Sequence, residues 1–153
     1  MTIEQVIKSN LQLDDAKKII LNVLYTQNVI AEKFSDVMKP FDLSSEQYNV
    51  LRILRGQHQN PINMCDIQER MIAKSSNTTR LIDKLLLKKL VTRQVCKINR
   101  RKIEIKITSL GLELLQKLDP KVIKHEQFFA QNLNLSEKQQ LNSLLEKYRT
   151  IKL

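Results

Sequence analysis

Hydrophobic positions recur at helical spacing along most of the chain. The spacing predicts a short arm over residues 1–12 and then a long helix that begins near Asp14 or Asp15. Its apolar stripe continues to about Met38, and Pro40 ends it because the residue before a proline avoids the helical region. Such a helix is roughly 35 Å long at 1.5 Å per residue. It is long for so small a domain, so we expect it to pack against something beyond its own core.

Three shorter helices are predicted next. Ser44 and Gln47 have the spacing of a capping box that opens the first of them. Asn63 is a candidate cap for a short helix over residues 64–71. Ser75 is a candidate cap for a third helix, over residues 75–88, whose apolar stripe is formed by Thr78, Leu81, Ile82 and Leu85.

The hydrophobic period changes after the third helix. Residues 102–107 alternate strictly between polar and apolar side chains, which is typical of a half-buried strand. Residues 90–97 are rich in β-branched side chains and are predicted to be its partner. Asn99, Arg100 and Arg101 lie at the predicted hairpin tip. A helix-turn-helix followed by a basic hairpin is the pattern of a winged helix-turn-helix domain.

The C-terminal part again shows helical spacing. Thr108 can cap a helix that Pro120 is expected to kink or divide, and Ser136 has the capping-box spacing for a last helix. We therefore predict a mainly α fold with a small β wing. Its parts are an arm and long dimerisation helix (1–38), a winged helix-turn-helix domain (44–107, with recognition helix 75–88 and wing 90–107) and dimerisation helices (108–153). The apolar stripes of the outer helices suggest a homodimer.

Positive charge is concentrated in one part of the chain. Residues 74–106 contain eleven basic and two acidic residues, whereas the rest of the chain contains fifteen and fourteen. A local basic surface of this kind favours a polyanionic partner, most commonly nucleic acid. None of the seven aromatic residues lies in this stretch. Single-stranded nucleic acid is usually bound by stacking on aromatic side chains, so double-stranded DNA is the expected partner.

The predicted DNA contacts lie at the start of the third helix and at the hairpin tip. They are Lys74, Ser75, Ser76, Asn77, Thr79, Arg80, Lys84, Asn99, Arg100, Arg101 and Lys102. Short polar side chains can read base edges, and arginine and lysine can hold phosphates or enter the minor groove. The alternative interpretation is a solvated helix face and a hairpin tip that is charged for solubility.

Other classes of function have less support in the sequence. No apolar run reaches the length of a membrane span, and residues 1–12 lack the pattern of a signal peptide, so a cytoplasmic protein is expected. His58 and His125 have no histidine partner at helical spacing, and the pattern predicts no metal site, no cofactor and no enzymatic activity. Cys65 and Cys96 are candidates for a redox pair, although incidental thiols are the simpler interpretation.

The order of these elements resembles the MarR family of bacterial winged helix-turn-helix regulators. The resemblance covers residues 13–151. The run from Asn77 to Leu85, followed by Leu90 to Arg93, is similar to the family's "TRLVDRLEKKGLVER". Asn99-Arg100-Arg101, followed by Ile107-Thr108, is similar to its "D-x-R … LT" wing signature. Lys89 replaces the family's glycine and Asn99 replaces its aspartate, so the wing-tip geometry is not given by the resemblance.

The resemblance implies a homodimer, usually a repressor, that binds inverted repeats in DNA. Many members release DNA when a small, often aromatic or phenolic, ligand binds between the dimer helices and the winged lobe. Tyr25 and Tyr48 are candidates for lining such an effector site. Two other functions remain open at this point: a winged-helix module that binds a protein or RNA, and a regulator that senses oxidants through its thiols.

Overall fold

The computed structural model describes residues 1–58, 60–95 and 103–150. This part of the chain is mainly helical and contains a small antiparallel sheet, which confirms the predicted fold class. Its helices and strands, in chain order, are α1 (Ile3–Val6), α2 (Asp15–Met38), α3 (Ser45–Arg55), β1 (Ile62–Asn63), α4 (Met64–Arg70), α5 (Thr78–Leu87), β2 (Val91–Val95), β3 (Ile103–Ile107), α6 (Ser109–Ala130) and α7 (Leu135–Arg149). A 3₁₀ turn, Lys39–Phe41, joins α2 to the segment before α3.

Most helices begin at the residue that the sequence predicts. Asp14 caps α2 by accepting a hydrogen bond from the backbone N–H of Lys17 at 2.9 Å. Ser44 and Gln47 form the predicted capping box at the start of α3. The Thr108 hydroxyl accepts from the N–H of Gly111 at 3.1 Å and so caps α6. Polar side chains at these positions satisfy backbone donors that have no partner inside the helix.

The predicted cap of the last helix is wrong. Asn134, rather than Ser136, is the N-cap of α7. Its side chain accepts from the N–H of Glu137 at 3.0 Å, and the Glu137 carboxylate accepts from the N–H of Asn134 at 2.8 Å. Asparagine caps as well as serine, and the reciprocal pair places the start of the helix two residues earlier.

Pro120 does not divide α6, which is assigned as one helix of 22 residues. Inside a helix, proline removes its own N–H from the helical ladder, and its ring crowds the carbonyl four residues earlier. Leu115, Leu118 and Val122 are buried on either side of it. Tertiary packing of this face therefore keeps the helix continuous through a position where local preference opposes it.

One hydrophobic core lies between α3, α4, α5, the sheet and the first part of α6. Each of these helices and the sheet contribute at least one fully buried side chain to this core. Examples are Leu51, Ile67, Ile82, Ile105 and Leu115. The strand order is β1–β3–β2, and both pairings are antiparallel. Sequence reasoning missed β1, because a strand of two residues is too short to show alternation.

The outer helices α2, α6 and α7 leave a large apolar surface uncovered. The N-terminal two-thirds of α2 contribute no buried residue, and neither does any part of α7. The exposed apolar side chains on these helices include Ile19, Ile20, Val23, Leu24, Tyr25, Ile30, Ile123, Phe128, Leu141, Leu144, Leu145 and Tyr148. We call this set the outer apolar face.

Candidate nucleic-acid interface

Helices α4 and α5 form the predicted helix-turn-helix, but the second helix starts later than the sequence suggests. Asn63 caps α4 as predicted, by accepting from the N–H of Asp66 at 2.9 Å. Ser75, the predicted cap of α5, lies in the turn instead. Asn77 is the cap and accepts from the N–H of Arg80 at 3.0 Å. Residues 72–77 form the connection between the buried Met71 and the buried Thr78.

Gln68 ties the turn to α4. Its side-chain amide donates to the carbonyl of Lys74, and its side-chain oxygen accepts from the Thr78 hydroxyl. The Lys74 ammonium donates in turn to the carbonyl of Glu69. The turn that presents Ser75 and Ser76 is therefore held at both ends. Sequence reasoning missed Gln68, because glutamine on a helix carries no signal that separates this role from ordinary solvent exposure.

Helix α5 has two distinct faces. Thr78, Ile82 and Leu85 are buried against the core, which confirms the predicted stripe. The opposite face and the turn before it contain most of the predicted DNA contacts. Ser75, Asn77, Thr79, Arg80 and Lys84 are exposed, Lys74 is exposed beside them, and Ser76 is half-buried. We call this set the polar face of α5.

Ion pairs divide the basic side chains into two groups. Oδ1 of Asp83 lies 3.0 Å from Nη2 of Arg93, and this ion pair joins α5 to β2. The Lys88 ammonium lies 2.8 Å from a carboxylate oxygen of Asp42. Hydrogen bonding to Lys88 lowers the pKa of Asp42 below its usual value. Among the described residues, by contrast, Arg80 and Lys84 form no salt bridge, so their charges face solvent.

The junction between α5 and β2 has a left-handed residue. Lys89, which stands where the family that the sequence resembles has a glycine, has a φ of 58°, in the left-handed region. The N–H of Leu90 donates to the carbonyl of Leu85 at 3.0 Å, and that of Lys89 donates to Leu86 at 2.9 Å. This pair of bonds is a Schellman motif. The chain thus keeps the turn and accepts the strain of a side chain there.

The wing is described at its base only. β2 and β3 pair from Val91 opposite Ile107 to Val95 opposite Ile103. The predicted contacts Asn99, Arg100, Arg101 and Lys102 lie outside the described residues, as does Cys96. Their roles remain predictions.

The two effector candidates lie in different environments. Tyr25 is 46% exposed on α2, as part of the outer apolar face, whereas Tyr48 is 7% exposed and faces the core. Burial raises the pKa of Tyr48 above its usual value. Tyr48 packs edge-on against Phe34, whose ring also packs against His125. The Nε2 atom of His125 is buried and has no hydrogen-bond partner among the described residues.

The described part of the chain offers few groups for redox or metal chemistry. Cys65 is a free, exposed thiol in the first turn of α4. It lies on a shallow depression that Ser76, Asn77 and Thr79 also line. Within residues 1–58, 60–95 and 103–150, no cluster of His, Cys, Asp and Glu could hold a metal ion. No helix in these ranges is long and apolar enough to cross a membrane.

Similar proteins have the same architecture. A family model described as the MarR family matches residues 43–103. A MarR transcription factor from Planctomyces limnophilus is 30% identical, with a TM-score of 0.69, over 88% of this chain and 98% of its own. The DNA complex of S. aureus MepR is 21% identical, with a TM-score of 0.78, over 90% and 97%. Bordetella bronchiseptica BpsR is 19% identical, with a TM-score of 0.80, over 93% and 100%. No curated protein matches.

A helix-turn-helix with an exposed polar and basic helix, followed by a two-stranded wing, defines a winged-helix transcription regulator. The chain belongs to the MarR family. Members of this family are transcription regulators rather than enzymes.

Proposed function

We propose that this MarR-family regulator is a homodimeric repressor that binds a pseudo-palindromic DNA operator. The observation that carries the proposal is the polar face of α5, on which Arg80 and Lys84 are exposed. A helix of this kind can enter the major groove, where arginine pairs with guanine and lysine contacts phosphate. One solved relative, MepR, was crystallised with DNA.

The outer apolar face supports the dimer. Helix α7 has no buried residue, although its 15 residues include Leu141, Leu144, Leu145 and Tyr148. A helix of this length is marginal in water unless its apolar face is packed. A second copy with two-fold symmetry would cover the same face on both chains. The two recognition helices would then lie about 34 Å apart, one turn of DNA.

The junction between α2, α3 and α6 is the site that we propose for an aromatic effector. Tyr48, Phe34, His125 and Phe129 form a continuous series of edge-on rings, with neighbouring centroids 5.1 to 5.4 Å apart. The unpartnered Nε2 of His125 could bond a phenolic hydroxyl. The DNA binding of BpsR is regulated by 6-hydroxynicotinic acid. We propose that a compound of this class releases DNA from the present protein.

The first experiment is a DNA-binding assay across a salt series. It compares the duplex directly upstream of the protein's own gene with a scrambled duplex. We expect affinity to fall steeply with salt on both, and a preference of about a thousandfold for the native duplex. Equal affinity for the two duplexes would contradict a specific regulator that binds this site.

Single substitutions then separate base reading from phosphate contact. Arg80→Ala should reduce the preference for the native duplex, whereas Lys84→Ala should weaken binding to both duplexes alike. Lys147→Ala is the matched control, because this lysine is exposed on α7, far along the chain from the polar face of α5. Equal effects of Arg80→Ala and Lys84→Ala on both duplexes would contradict this division of roles.

The effector is tested on the protein–DNA complex. We expect 6-hydroxynicotinic acid, or another member of a panel of phenolic acids, to release the native duplex. His125→Ala should weaken that response while DNA affinity without the compound is kept. If no compound in the panel changes DNA affinity, the proposed effector class is wrong.

A further inference from the structure

Helix α6 belongs to two different parts of the molecule. Its buried residues, Gly111, Leu115, Leu118 and Val122, all lie in its first two-thirds and pack with the winged lobe. After Val122 the helix has no buried residue, and Ile123 and Phe128 are exposed. The boundary between the lobe-packed part and the outer part of α6 therefore lies close to Pro120.

Pro120 makes this boundary the weakest point of the helical ladder. It has no N–H, so the carbonyl of Gln116 lacks its usual intrahelical donor. Helices bend most readily at such positions. The helix nevertheless continues from Ser109 to Ala130, and Leu118 and Val122 are buried on either side of the proline.

One ion pair lies at the boundary. Nη1 of Arg55 is 2.9 Å from Oδ1 and 2.8 Å from Oδ2 of Asp119, the residue directly before Pro120. Arg55 is the last residue of α3, the helix that leads into the helix-turn-helix. Among the described residues, no other salt bridge joins α6 to another helix. Both side chains are little more than one-third exposed.

From this arrangement we infer that Arg55 and Asp119 are positioning residues for DNA recognition. They hold the winged lobe at a set angle to the outer part of α6, because Asp119 lies inside the unbonded turn that ends at Pro120. In a two-fold dimer this angle determines the distance and rotation between the two recognition helices. The ion pair thereby selects the spacing of the DNA half-sites, although neither residue contacts DNA. The inference rests on the proposed dimer and its palindromic operator.

The test measures spacing preference. Duplexes are first selected from a random pool by the wild-type protein, and versions are then made with the central spacer one base pair shorter or longer. The wild-type protein should bind the parental spacing at least about tenfold more tightly, because half-site separation must match the dimer. Asp119→Asn should reduce this ratio about fivefold, since an exposed pair contributes modestly and the dimer contains two.

Three further variants make the test specific. Asp36→Asn, the matched control, removes an exposed ion pair with Lys39 at the end of α2 and should keep the wild-type ratio. Exchange of the two residues, Arg55→Asp with Asp119→Arg, should restore the ratio in part. Pro120→Ala in the Asp119→Asn protein should also raise the ratio, because the helix regains its hydrogen bond. Dimer mass and affinity for scrambled DNA should be unchanged throughout.

The outcomes separate this inference from the proposed function. If the wild-type protein shows the spacing preference and Asp119→Asn keeps it, the role of the ion pair is wrong while the dimeric regulator stands. If the wild-type protein is a monomer or binds all spacings equally, the proposed function fails and this inference fails with it. A changed ratio caused by loss of dimer mass would also overturn the positioning role.

Discussion

At the scale of single residues, the chain tolerates local strain where a turn requires it. Lys89 adopts the left-handed conformation that the sequence makes unfavourable, because the turn from α5 into β2 needs it. Its N–H and that of Leu90 complete the Schellman motif, and its carbonyl accepts from the Thr108 hydroxyl at 2.9 Å. The backbone contacts at this junction outweigh the preference of one side chain.

Lys89→Gly should stabilise the protein by about 1 kcal/mol, because glycine has no Cβ to strain in the left-handed region. The free energy of unfolding in urea measures the effect. Lys84→Gly is the matched control, since Lys84 lies inside the same helix. The Lys84→Gly variant should be less stable than the wild type by about 1 kcal/mol. If Lys89→Gly is as destabilising as Lys84→Gly, Lys89 does not adopt the left-handed conformation.

Tyr48 should make stability depend on pH at the alkaline end. Burial raises the pKa of Tyr48 in the folded protein above its usual value near 10. The folded state therefore holds this proton more tightly than the unfolded state. The contribution of protonated Tyr48 to the free energy of unfolding is fully present below about pH 10. It is lost as pH rises through the pKa of Tyr48 in the folded protein.

Tyr48→Phe should remove this dependence. The difference in unfolding free energy between the wild type and the variant should be constant from pH 7 to about 9 and then shift against the wild type. Tyr25→Phe is the control, because Tyr25 is nearly half exposed. A wild-type curve that runs parallel to the Tyr48→Phe curve up to about pH 11 would contradict the effect of burial.

At the scale of elements, the sequence predicted the type of each long element better than its ends. The caps of α2, α3, α4 and α6 are those expected. Those of α5 and α7 differ by two residues from the predictions. In both cases an asparagine competes with a nearby serine, and the two have nearly equal cap preference. For α5, the choice of Asn77 agrees with the burial of Thr78, the residue directly after it.

The start of the recognition helix can be tested directly. Asn77→Ala should destabilise the protein by about 1 kcal/mol, because the N–H of Arg80 loses its acceptor. Ser75→Ala should change stability by less than about 0.5 kcal/mol, as expected for an exposed turn residue. Thermal or urea unfolding measures both. The reverse order of effects would support the helix start at Ser75 that the sequence alone suggests.

At the scale of the whole molecule, one chain does not cover its own apolar side chains. The winged lobe has a complete core, whereas α7 and most of α2 contribute nothing buried. The sequence already indicated this imbalance, since the stripes of the outer helices exceed what a compact winged domain needs. It follows that the stability of the outer helices should depend on protein concentration.

Leu144→Lys should shift the protein toward monomer. Leu144 lies on the outer apolar face, and a symmetric dimer contains it twice. Loss of two buried leucines should weaken dimerisation at least about a hundredfold. Leu87→Lys is the matched control, because Leu87 is the more exposed leucine and ends α5, which is not one of the outer helices. Sedimentation equilibrium distinguishes them. A dimer constant that Leu144→Lys leaves unchanged would place the interface elsewhere.

The sequence by itself determined the order of the elements, the two faces of α5 and the concentration of positive charge in residues 74–106. These follow from hydrophobic period and charge, which are local properties of the chain. Only the tertiary structure decided that an asparagine rather than a serine caps α5 and α7, that β1 joins the sheet and that α6 continues through Pro120. It alone brought Arg55 to Asp119, 64 residues apart in the chain. Such contacts depend on how distant segments pack, and no local pattern encodes that packing.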